Sequence, residues 1–184
     1  CWGSGWPAQG RVYDFFDESW ARPVPVGGME RWCISCDYGT VNPTSLGLWG
    51  CGTECGTGWR SLTMTPGPRG GREPTESTPT PWSGWPGGRP IWKVVADPSA
   101  ASVDRDPAAG GMAGGKADND VLAGIRTTAE LLRRGRLVIC QGCADALREF
   151  TLYCWDEKAG GDRVKKVHDH AMDDIRYFAA SVAA

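Results

Sequence analysis

The sequence predicts an α/β domain, and three observations carry that expectation. Short apolar runs bounded by Gly, Pro and Asp recur along the chain, as strands do. Segments with apolar residues at helical spacing alternate with them in the second half. The length, 184 residues and 19.8 kDa, allows one sizeable core but not two large ones. A single domain over residues 1–184 is therefore expected.

Taken in order, residues 10–16 (GRVYDFF) and 30–35 (ERWCIS) are apolar-rich, with a loop around Pro23 and Pro25 between them. Asp37 follows the second run at the end of a strand, before a turn through Tyr38, Gly39 and Thr40. Residues 44–49 return as its hairpin partner. From residue 50 to about 88 the composition is Gly, Pro, Thr, Arg and Trp with almost no aliphatic side chain, and neither period supports an element. The stretch 50–90 reads as a low-complexity insertion, disordered or frame-shifted.

Order returns with residues 91–96 (IWKVVA), a buried strand closed by a second strand-end carboxylate, Asp97. Residues 118–135 form a helix capped by Asp118 or Asn119. Within it Val121, Leu122, Ile125, Ala129 and Leu132 recur on one face, and Gly135 ends it. A short strand (136–140, RLVIC) and an amphipathic helix (144–155) follow. A polar link (156–166) then leads to a last helix over 168–178, HDHAMDDIRYF.

Charge and hydropathy narrow the function classes. A net charge of -2 gives no global basic field, although Arg126, Arg133, Arg134, Arg136, Arg163, Lys165 and Lys166 offer a local patch for phosphate. No apolar run reaches membrane length and no secretion signal opens the chain, so a soluble, cytoplasmic protein is expected. A start at Cys1 reads as a fragment or an incomplete frame.

Eight Cys raise the question of zinc. Cys33-x-x-Cys36 and Cys140-x-x-Cys143 have ligand spacing, but the first pair lies in a strand, where residues three apart point to opposite faces. Gly110, Gly115 and Lys116 match phosphate-loop spacing, yet Ala117 stands where a hydroxyl would hold magnesium.

The last helix crowds acids. Asp169, His170, Asp173, Asp174 and Tyr177 fall three or four residues apart, while Met172, Ile175, Phe178 and Ala179 mark an apolar side. Like charges one turn apart need a positive partner, which a bound metal ion would supply; a solvated acidic face is the bland alternative. With Asp37 and Asp97 at strand ends, the chain offers three acid positions. Shared carboxylates are what two Mg²⁺ or Mn²⁺ ions require when one activates water and the other stabilises a leaving oxygen.

Five blocks carry a resemblance: DYGTVNPT from Asp37, VADPS from Val95, KADNDVLAGIR from Lys116, YCWDEK from Tyr153 and DHAMDDIRY from Asp169. In order and spacing they resemble the nuclease domain of the large terminase subunit of tailed bacteriophages. The resemblance implies a ribonuclease H-like fold, a mixed central sheet flanked by helices. It implies a Mg²⁺- or Mn²⁺-dependent endonuclease that cuts concatemeric double-stranded phage DNA, with portal and small terminase subunit as partners of the full-length protein. It implies Asp37, Asp97 and Asp173 as metal-binding catalytic acids, His170 beside them, and Asp169 as an auxiliary ligand, leaving Asp174 to solvent or a salt bridge. The N-terminal packaging ATPase of that family has no counterpart in these residues. Between Asp37 and Asp97 the family continues its hairpin with a further strand and a helix. A shifted reading frame over residues 58–88, and another over 103–115, would restore that character. The reading from another class is a non-catalytic, zinc-stabilised module binding nucleic acid or protein.

Overall fold

Asp37 and Asp97 end two neighbouring parallel strands, and the rest of the architecture follows from that pair. A computed structural model describes residues 10–23, 27–37, 45–52, 59–66, 89–97, 113–116, 120–159 and 162–183. The strands are β1 (Arg31–Asp37), β2 (Ser45–Cys51), β3 (Trp59–Pro66), β4 (Ile91–Ala96), β5 (Ala113–Lys116) and β6 (Leu137–Val138). They form one mixed sheet in the order β5-β4-β1-β2-β3-β6. β2 runs antiparallel to both β1 and β3, whereas β4 is parallel to β1 and to β5, and β6 is parallel to β3.

Period-two alternation gives the sheet two different faces. Trp32, Ile34, Cys36, Leu46, Leu48, Val94 and Ala96 form one apolar cluster. Cys33, Trp49, Cys51 and Val95 belong to the other, larger cluster, which includes the helices α1 (Val121–Arg133), α2 (Ala144–Leu152) and α3 (His170–Phe178). Cys33 and Cys36 thus lie on opposite faces, as the strand reading required. Trp49 stacks on Phe178 with ring centroids 4.0 Å apart, which fixes α3 against the sheet. The aromatic residues of the N-terminal segment complete this core: Phe16 stacks on Phe150 at 3.9 Å, and Val12 N donates to the Tyr153 carbonyl.

Several sequence expectations change. Residues 59–66, within the stretch where no period supports an element, are β3, paired along β2 from Cys51–Trp59 to Ser45–Pro66. Residues 113–116 overlap the second suspected frame shift and form β5, so Gly115 and Lys116 sit in a strand rather than a phosphate loop. The other parts of 50–90 and of 103–115, and the turn after Asp37, lie outside the described residues. The first long helix is capped by Asp120, whose side chain accepts from Ala123 N at 2.9 Å. It ends at Gly135, as expected, with that residue at φ 66°. Among the described residues no helix is long and apolar enough to cross a membrane.

Candidate active site

Parallel register brings the two strand-end acids to one place. Ser35 pairs with Val95 and Cys36 with Ala96, so Asp37 and Asp97 are the next step on both strands. Alternation puts them on the face that carries Ser35 and Val95, the face α3 covers. Asp97 N donates to the Cys36 carbonyl at 3.1 Å, and its Oδ2 accepts from the Tyr177 hydroxyl at 3.1 Å. Asp37 Oδ2 lies 3.0 Å from His170 Nδ1. The sheet's acids are therefore tied to the helix by two side chains on α3.

The helix itself is held at its start by a group the sequence did not single out. Asp169 precedes α3 without capping it through its side chain. Glu149 of α2 does so instead, accepting from Ala171 N at 2.7 Å. A carboxylate there satisfies an orphan amide and faces the positive end of the helix dipole. Residues 171–178 are all buried, which overturns the solvated-face reading of α3.

Each acid of α3 has its own arrangement. Asp173 divides its oxygens: Oδ1 accepts from Arg176 Nε at 3.3 Å and Nη2 at 3.1 Å, while Oδ2 meets Lys166 Nζ at 2.6 Å. The same ammonium is 3.2 Å from Asp169 Oδ2. The positive charge that crowded carboxylates need is thus supplied by two side chains of the chain itself. Arg176 fits because Gly124 on α1 has no side chain: a Cβ there would meet the Arg176 stem at Cγ and Cδ.

Asp174 corrects the expectation of a solvent or salt-bridge residue. It is fully buried, and Ser45 Oγ donates to its Oδ2 at 3.0 Å. Behind it, Trp49 Nε1 donates to Ser35 Oγ at 2.6 Å. Burial drives the Asp174 carboxyl well above the usual range; the Ser35 and Ser45 hydroxyls oppose this in part, and the charges of Asp37 and Glu149 add to it. Among the described residues its Oδ1 is buried with no hydrogen-bond partner, which penalises the charged carboxylate most.

Asp37 is raised as well, by a different balance of causes. Desolvation raises it, the hydrogen bond from His170 pulls it back, and the charges of Asp173 and Asp97 push it up again, to about 6. Lys166 responds to the same surroundings in the opposite sense: burial lowers its proton affinity, but Asp173 and Asp169 outweigh that and leave it above the ordinary lysine range.

The structure therefore brings Asp37, Asp97, His170 and Asp173 into one electrostatic neighbourhood, with Asp169 joined to Asp173 through Lys166. Among the described residues no three His, Cys, Asp or Glu side chains converge closely enough to enclose a metal ion. The donor set still fits a hard divalent cation in kind: oxygen ligands, mostly buried, with the charges of Asp173 and Asp97 helping to raise Asp37. Cys33, Cys36, Cys51 and Cys154 are free thiols. Of the basic patch, Arg134 pairs with Glu130 at 2.8 Å and Arg133 lies 4.1 Å over the Phe15 ring, while Lys166 turns to the acids. Glu149, Lys166, Arg176 and Ser45 are among the site residues that sequence reasoning missed. Composition places Lys166 only in a phosphate patch, and its three-residue spacing from Asp169 is the signal that could have found it.

A mixed sheet with acids at the ends of adjacent strands and a third acid on the helix across them defines a ribonuclease H-like nuclease-fold domain. The resemblance read from the five blocks holds: the chain has the fold of the nuclease domain of phage large terminases. It is 34% identical to the large terminase of a thermophilic bacteriophage, solved in complex with ADP, with a TM-score of 0.77 over 94% of this chain. It spans 45% of that protein's length. The P22 large terminase nuclease domain matches with a TM-score of 0.70 at 17% identity, covering 94% of this chain and 92% of the domain. The large terminase nuclease from a second thermophilic phage, G20c, solved with bound cobalt, matches at 0.66 and 15% identity over 95% and 99%. The G20c nuclease has also been solved with bound magnesium. No protein-family model matches the sequence, and no curated protein matches it significantly.

Proposed function

We propose that this chain is a metal-dependent DNA endonuclease domain that cuts concatemeric double-stranded DNA during phage genome packaging. Asp37, Asp97 and Asp173 would hold two Mg²⁺ or Mn²⁺ ions, with Asp169 auxiliary, and a full-length protein would work with portal and small terminase subunit. The observation that carries this reading is the meeting of Asp37 and Asp97 on adjacent parallel strand ends under the helix that bears His170 and Asp173. The cobalt- and magnesium-bound G20c nucleases support a divalent ion. When bound, such ions supply a nucleophile at neutral pH and stabilise charge on the leaving oxygen.

The chain's own side chains do the positioning. Asp37 fixes His170 through Nδ1; with Asp37 ionised, that nitrogen carries the hydrogen and Nε2 is left to accept a proton. Tyr177 orients Asp97. Arg176, almost wholly buried, holds Asp173 Oδ1 and fixes the plane of that carboxylate. The surface lysines and arginines of the last third of the chain provide phosphate contacts.

The test is nicking and linearisation of supercoiled plasmid by the purified, folded protein with Mn²⁺ or Mg²⁺. Cleavage should occur with metal, stop with chelator, and fall at least about a hundredfold in Asp97→Ala and Asp173→Ala, as removal of a charge-stabilising group does. Intact plasmid with either ion, from protein shown to be folded, would overturn the proposal.

A further inference from the structure

Asp173 is met by two cations of opposite character. Arg176 on Oδ1 is 1% exposed and anchored between α1 and α3, whereas Lys166 on Oδ2 has a side chain 57% exposed to solvent. The ammonium bridges Asp173 and Asp169 at 2.6 and 3.2 Å, so it sits between two of the carboxylates proposed for metal. Its position is set by the backbone on both sides. Before it, Lys165 N donates to the Cys154 carbonyl at 2.9 Å, and Trp155 bridges Val164. After it, His168 takes a left-handed φ of 54°, a conformation non-glycine residues adopt at some cost, and the chain turns into the first bonds of α3. A strained turn that delivers one lysine onto two buried acids is more than a stray surface charge.

We propose that Lys166 is a resident counter-ion for the acid site, occupying Asp173 and Asp169 when no divalent ion is bound and leaving Asp173 when one enters. The inference rests on the metal-site reading above. A long, solvent-facing lysine can swing into water at little cost, whereas Arg176 cannot. Two cations on a single carboxylate oxygen repel, so lysine and metal exclude each other at Oδ2. The device keeps the acids folded without metal and lowers the site's affinity for it, so that cation binding and lysine release become one event.

Mn²⁺ binding to the metal-free, folded protein, followed by calorimetry, tests this directly. Lys166→Met keeps the apolar stem without the charge. It should bind Mn²⁺ about fivefold more tightly than wild type, the worth of a partly exposed ion pair, and should melt lower without metal and recover with it. Lys166→Arg should bind no more tightly than wild type. A second measurement needs no variant: an amine-reactive label on wild-type Lys166, quantified by mass spectrometry, should react faster with Mn²⁺ present. Equal or weaker Mn²⁺ binding by Lys166→Met, or labelling indifferent to Mn²⁺, overturns the counter-ion role. If Asp173→Asn leaves wild-type Mn²⁺ binding unchanged, the failure lies instead in the metal-site reading beneath it.

Discussion

Gly47 is the position where one added methyl group should do most damage to the scaffold behind the acids. It pairs with Ser35 across β1 and β2, on the face covered by α3. A Cβ at Gly47 would lie 2.6 Å from Ser35 Oγ, 2.7 Å from Trp49 Nε1 and 3.2 Å from Asp174 Oδ2. All three atoms belong to the polar layer between sheet and helix, and none has room to withdraw, because Trp49 is stacked on Phe178. Overpacking of this kind costs about 1–3 kcal/mol. Breaking the buried Trp49 to Ser35 bond adds about 1–3 kcal/mol for the stranded indole donor. Replacing a strand glycine returns about 0.5–1 kcal/mol. The net expectation for Gly47→Ala is a loss of about 3 kcal/mol, or about 6–12 °C in Tm for a domain of this size. Thermal and urea unfolding followed by circular dichroism measure both, with an unchanged urea slope showing that stability alone moved. Ser35→Ala in the Gly47→Ala background removes the nearest clash and should return part of the loss as a coupling energy. A single variant melting within about 1 °C of wild type would refute the account of this layer.

Two further outcomes follow from the same region. Glu149→Ala removes the acceptor at the start of α3 and should cost about 1–3 kcal/mol, read by the same unfolding, while Glu149→Gln, which keeps an acceptor oxygen, should cost less. In metal-free buffer the folded Asp37 carboxyl titrates at about 6 against an ordinary value of 3.8, so the native state binds more protons between those values. The Asp37 contribution to stability is therefore present below about pH 4 and is lost as pH rises through about 6, by at most about 3 kcal/mol; Asp37→Asn should flatten that slope in unfolding measured from about pH 4 to 6.

Most elements were legible because their own side chains state their period. β1, β2 and β4 are apolar runs, and α1 repeats Val121, Ile125 and Leu132 on one face. β3 and β5 were not. The segment WRSLTMTP has little composition to distinguish it from its Gly- and Pro-rich surroundings, and it is a strand because β2 and β6 pair with it. AGGK has two glycines and an alanine among its four residues, too little to show a period, and its register comes from β4. Strand character here belongs to the pairing, not to the residues. The site divided in the same way. Strand-end aspartates and an acidic helix are local signals, and the structure brings them together. What Asp174 and Glu149 do depends on partners 129 and 22 residues away, which no local pattern displays.

Asp174, Asp173 and Asp37 lie in three different electrostatic settings, and the proposed metal-site reading assigns each a different part. Asp174 is sealed behind two serine hydroxyls, where burial favours the neutral acid. Asp173 already has a guanidinium on one oxygen and an ammonium on the other. Asp37 meets the His170 ring, while the charges of Asp173 and Asp97 both act against its own. On the proposed reading, a cation arriving among these groups would offset the burial and like-charge repulsion that raise Asp37, and at Asp173 it would compete with the Lys166 ammonium. On the proposed metal-site reading, Asp37 would gain from the ion's charge, while at Asp173 the ion would compete with Lys166.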